Sequence, residues 1–224
     1  MKKAIEQYNA ARAAHIAAKE HERATLTAFR QIPRENIRDN IEALKAASAA
    51  HDAAAVAEQR AARIRQAAAY IAEQTIKAAA APIIRATLEK YAGKPAGPKT
   101  REKAAAEIAA ALDVKSAYFS GSYYGSPLNR VCINLGSYGN DISPEIYTQG
   151  MEPLVNAENR FQVQEIPAPD LSGLPADLEA WVDEFDRAAD ELEAAKKAFE
   201  AAAAHARRVN LGNARLKEYR ITGY

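Results

Sequence analysis

Residues 118–130, YFSGSYYGSPLNR, set Tyr118, Phe119, Tyr123 and Tyr124 among glycine and serine and close on Asn129 and Arg130, with Tyr138 a short way on. Tyrosine brings a rigid apolar ring with a hydroxyl at its edge, and glycine and serine let the backbone conform to a partner; protein-binding loops use this mixture. The same rings can stack on a nucleotide base while the arginine pairs a phosphate. They can equally fill a small core that alanine is too short to fill. Tyr123 and Tyr124 are adjacent and cannot both face inward on a regular strand, so at least one is an expected contact residue. The partner-binding set read from this region is Tyr118, Tyr123, Tyr124, Asn129, Arg130 and Tyr138.

Other reactive residue types do not assemble into a catalytic pattern. GKPAGPKT contains Gly93, Gly97, Lys99 and Thr100, but three residues separate the glycines where a phosphate-binding loop needs four. Pro98 also removes one of the backbone N–H groups that such a loop turns toward phosphate. What survives is a weaker anion site, Lys99 and Thr100 at the start of the following helix. His15, His21, His51 and His205 all fall on helical sequence, and the first two are six apart, which does not place two metal ligands on one helix face. They are expected at solvated or seam-edge positions. Cys132 has no histidine near it in sequence and reads as an inert buried thiol. Ser120, Ser122 and Ser126 sit beside glycines without spelling a nucleophile elbow. DEFDRAADELE reads as a hydrated helix face. No catalytic residue, metal or cofactor is assigned.

These residues need a frame, and the frame is helical. Alanine makes up roughly a quarter of the chain, far above ordinary usage, and it is the strongest helix former because it loses no side-chain entropy. In the late part of the sequence Leu178, Trp181, Phe185, Ala188, Leu192, Ala195, Phe199, Ala202, Ala206 and Val209 follow an unbroken 3,4 spacing, a coiled-coil seam. Gly212 marks its expected end. Residues 3–31 read as one helix with Ile5, Tyr8, Ile16, Leu26 and Phe29 on its apolar face. Pro33 interrupts the chain, and a second long helix follows from about Glu35, with Leu44 and Ala55 separated by the weaker seam positions Ser48 and His51 and a kink expected at Pro82. YAGKPAGPKT (91–100) reads as a linker, and Thr100 as the cap of a short alanine-rich helix. From 114 to 169 alanine nearly vanishes, and VKSAYFSG, NRVCINLGS and RFQVQEI are expected strands.

The fold expected is mainly α: a long antiparallel coiled-coil or helical rod, formed by residues 1–92 and 175–210, with a small α+β head at 93–174 inserted between them and a C-terminal tail at 211–224. The net charge of +1 conceals a polarity. Lys and Arg outnumber Asp and Glu by 16 to 10 over residues 1–95, and the balance reverses to 5 against 9 over 175–209. Such a distribution suits segments lying side by side. The basic residues are interleaved with acids and never form a block, which argues against duplex nucleic acid. One cysteine, no apolar run of the ~20 residues a membrane span needs, and no apolar signal core behind Lys2 and Lys3 give an expected cytoplasmic location with no membrane partner.

The segment LEKYAGKPAGPKTREKAAAEI (88–108), between a long coil and a tyrosine-bearing head, resembles a pattern in uncharacterised helical proteins encoded by bacteriophages and prophages. The resemblance implies a context and no particular activity: a cofactor-free phage protein in the host cytoplasm that acts by binding, host defence systems included. The reading that follows is a non-enzymatic binding protein whose head captures a host protein or a nucleotide-like ligand, and whose helices form a homo-oligomer. The alternative is a scaffold acting through coiled-coil self-association.

Overall fold

The computed structural model describes residues 1–34, 37–121, 127–135, 142 and 144–221. The protein is mainly α, and the described residues form four α-helices and a small three-stranded antiparallel sheet. Two compact units divide the chain, Met1–Leu178 and Glu179–Tyr224.

Helix α1 spans Lys2–Gln31 and stops because Ile32, preceding Pro33, is extended (φ −68°, ψ 122°), as the proline ring requires of its neighbour. Helix α2, Ile37–Tyr91, is continuous through Pro82, whose ring faces outward. The two helices pair along alanine-rich seams of 3,4 spacing: Ala4, Tyr8, Ala11, His15, Ala18 and Glu22 on α1, and Leu44, Ala47, His51, Ala54, Glu58 and Ala61 on α2. Two His–Glu contacts report the register. His15 Nε2 meets Glu58 Oε1 at 2.9 Å, and His51 Nδ1 lies 3.8 Å from Glu22 Oε1, so the helices run antiparallel. Of the apolar face expected for α1, Tyr8 is buried and Ile5, Leu26 and Phe29 are half-buried, but Ile16 turns outward. Ile16 is 48% exposed, and the contact runs through His15 beside it. The alanine methyls that do lie on the seam, Ala4, Ala11 and Ala18 of α1 and Ala47, Ala54 and Ala61 of α2, let the two backbones approach closely.

Beyond the hairpin, the last turns of α2 enter the main core. Ile76, Ala80, Ile84 and Leu88 are buried at a four-residue spacing that drifts around the helix, with Tyr91 three residues further on, so successive turns meet different neighbours. Those neighbours are Ile108 and Leu112 of α3 (Pro98–Leu112) together with Val131, Ile146, Leu154 and Phe161. Phe161 is the hub: its ring lies 6.0 Å from Tyr91 edge-on and 5.5 Å from Phe119. The α3 helix starts earlier than the sequence indicates, with Gly97 as N-cap and Pro98 in the first turn, so Thr100 is helical and not the cap.

Residues 93–97 are not a free linker. Gly93, at φ +75° just past the end of α2, lets the chain reverse. Gly93 N–H then donates to Phe161 O (2.8 Å), Phe161 N–H to Lys94 O (3.0 Å) and Ala96 N–H to Asn159 O (2.7 Å).

Strand β1, Ser116–Gly121, pairs antiparallel with β2, Leu128–Asn134, which pairs with β3, Glu145–Tyr147, in the order β1-β2-β3. The first two strands fall where the aromatic and β-branched residues place them. The third does not. Residues 160–166 make only isolated bridges, from Arg160 to Pro95 and from Phe161 to Val155. Gln162 and Gln164 spend their side-chain amides on Pro153 O, at 2.5 and 3.0 Å. Helix α4, Leu178–Ile221, runs through Gly212 where the sequence marks a stop. An interior glycine costs about 1 kcal/mol, which the helix formers after it tolerate.

Candidate functional site

The pairing register sorts the head residues onto two faces. Ala117 and Phe119 of β1, Val131 and Ile133 of β2 and Ile146 of β3 turn to the core. Tyr118, Ser120, Arg130, Cys132, Glu145 and Tyr147 alternate with them and share the opposite face. Two residues predicted as contacts, Tyr118 and Arg130, are thus brought together. Asn129 falls on the core side: it is 7% exposed, its side chain donates to Met151 O at 3.5 Å, and its carbonyl accepts from Thr148 N–H. Its role is to join β2 to the segment after β3. Tyr123, Tyr124 and Tyr138 lie outside the described residues. At the start of α3, Lys99 is exposed and Thr100 half-buried.

The outer sheet face holds a connected polar group. Arg130 Nη1 donates to Glu145 Oε2 (2.6 Å) and to Tyr147 Oη (2.8 Å), and Tyr147 Oη donates to the same carboxylate oxygen (2.8 Å). The guanidinium also sits 5.6 Å from the Tyr147 ring centre. The bond to Tyr147 and the charge of Glu145 hold Arg130 above its ordinary pKa. Burial pushes the Cys132 thiol up, against the opposing effect of its hydrogen bond with Tyr118, and that same bond raises the Tyr118 hydroxyl. Cys132 is 5% exposed. A protonated, buried thiol lacks nucleophilic character at neutral pH, so the face offers donors, acceptors and one half-exposed ring. Glu145 and Tyr147 were not legible as site residues, because the strand bearing them is three residues long and carries no periodicity.

Beside this face a groove of about 670 Å³ runs between α3 and β1. Ala105, Ala106, Ala109 and Ala110 of α3 and Ala117 and Phe119 of β1 form its floor, with Arg101, Glu102, Lys115 and Tyr118 at the rim. Tyr118 is 54% exposed. Residues 116–119 of β1 line this groove. Ile133 N–H donates to Pro144 O and Thr148 N–H to Asn129 O, so odd-numbered residues of β2 bond toward β3. Even-numbered ones bond toward β1, through Cys132 opposite Tyr118 and Arg130 opposite Ser120. The peptide groups of Ala117 and Phe119 consequently point away from β2, along the outer edge of the sheet.

Comparison with family models, curated proteins and solved structures finds no match to this chain. Among the described residues no three His, Cys, Asp or Glu side chains are grouped to hold a metal ion. No described helix is long and apolar enough to cross a membrane.

Proposed function

We propose that the protein is a binding protein whose head captures an extended segment of a partner protein by strand addition to β1. The observation that carries this reading is the outward-facing edge of β1 opening into the alanine-floored groove. An edge strand is a template for a further strand, and main-chain bonds to it supply affinity while adjoining pockets select side chains. Here the floor of methyl groups leaves room for small or flat side chains of the incoming strand. Tyr118 supplies an aromatic wall, and Arg101, Glu102 and Lys115 offer partners to charges at its ends. A peptide satisfies the Ala117 and Phe119 backbone groups, which a nucleotide-like ligand does not; this favours protein over nucleotide as the captured species. The resemblance of residues 88–108 to phage-encoded helical proteins makes a host protein the source, and interference with host defence the biological setting, of this proposal.

Selection of random peptides on the purified protein tests it. The expected result is a family of extended sequences whose binding falls at least about tenfold in Ala106→Trp, which fills the groove from an exposed position without touching the core. N-methylation of alternate peptide nitrogens should abolish binding. Enrichment of no peptide, or of peptides indifferent to Ala106→Trp, refutes the reading. A second reading, a scaffold acting through its helices, is favoured by the exposed apolar seam of α4.

A further inference from the structure

From Trp181 to Val209 every seam residue of α4 is exposed, with Phe185 60%, Leu192 72% and Phe199 74% accessible. A helix owes most of its stability to the burial of its apolar face, and an uncovered stripe of this length marks an interaction surface. We propose that this stripe pairs with the same stripe of a second copy, antiparallel, about a two-fold axis between Glu193 and Ala194.

The order of sizes along the seam selects this arrangement. In an antiparallel pair about that axis, Trp181 meets Ala206, Phe185 meets Ala202, Ala188 meets Phe199 and Leu192 meets Ala195 of the other copy. Leu178, which is half-buried against the core of its own amino-terminal unit, comes level with Val209 at each end. Each inner layer then holds one large residue and one alanine, so a single interhelical distance serves the whole seam at normal packing density. A parallel, in-register pair would instead stack Phe on Phe and alanine on alanine. Its layers would alternate between overfilled and empty, and each error has a cost. Charge points the same way. Residues 178–193 carry seven carboxylates against Arg187, whereas 194–209 carry Lys196, Lys197, Arg207 and Arg208 against Glu200. Antiparallel pairing lays the acidic half of each helix along the basic half of the other, and parallel pairing lays like on like. The two Leu178 residues come to opposite ends, about 45 Å apart.

Sedimentation of the full chain should give twice the monomer mass of 24.3 kDa, and Leu192→Glu should weaken the dimer by about a hundredfold or more. A monomer up to about 100 μM, or a dimer that survives Leu192→Glu combined with Phe199→Glu, overturns the proposal. Orientation is read with the seam nearly intact, in a Cys132→Ser background. Phe185→Cys and Ala202→Cys chains should form a disulfide when mixed and none alone, because like positions lie about 25 Å apart along the axis. A disulfide formed by either chain alone indicates parallel pairing and also overturns it.

Discussion

At the residue scale, the chemistry of the head is set by which side chains share a strand face. Arg130 would be a free cation for a ligand if judged from its neighbours in sequence. Across the sheet it is bonded to Glu145 and Tyr147, so its fork is oriented and partly neutralised before any partner arrives. Cys132 illustrates the opposite case, since a strand position predicts a quiet thiol and burial delivers one. In the native protein Cys132 should react with a maleimide at pH 7 at least about tenfold more slowly than in the denatured chain, because both access and thiolate are suppressed. Tyr118→Phe removes the hydrogen bond that works against this suppression and should slow the reaction further. Equal rates in folded and denatured protein would show that the thiol is neither buried nor protonated as described.

At the element scale, a polar clamp holds α2 against α3, the helix that forms one side of the groove. Lys90 Nζ donates to Glu107 Oε2 (2.7 Å) and Tyr91 Oη to Glu107 Oε1 (2.9 Å), tying the end of α2 to the middle of α3. These two bonds, Lys90 first, hold the Glu107 carboxyl below its usual range, and the bond to Glu107 raises Lys90. A carboxyl lowered in the folded state stabilises above its unfolded pKa and loses that contribution as pH falls through the folded value. Glu107→Gln should therefore lower the thermal midpoint at pH 7, with the deficit fading as pH drops below the ordinary glutamate value of 4.5. A deficit that is the same at pH 3 and pH 7, measured by thermal melts, would assign the effect to packing instead of charge.

At the scale of the whole molecule, burial in the amino-terminal unit is uneven. Ala72, Ile76, Ala80, Ile84 and Leu88 are anchored in the main core, whereas toward the far end of the α1–α2 hairpin Leu26, Phe29 and Leu44 are only half-buried. Hydrogen exchange should accordingly be slowest over 72–88 and fastest among the helical amides near 25–45; uniform protection along the hairpin would contradict this gradient. The sequence by itself determined the long helices, the break before Pro33 and the first two strands. Those features follow from alanine propensity, heptad spacing, the constraint proline puts on its neighbour, and clustered aromatic and β-branched residues, all local properties of the chain. Only the tertiary structure decided that His15 and not Ile16 lines the hairpin seam, that Glu145–Tyr147 and not 160–166 completes the sheet, that Asn129 turns inward, and that β1 borders an alanine groove. Each of those outcomes depends on register between segments far apart in sequence, which the local propensities and periodicity of the chain do not specify.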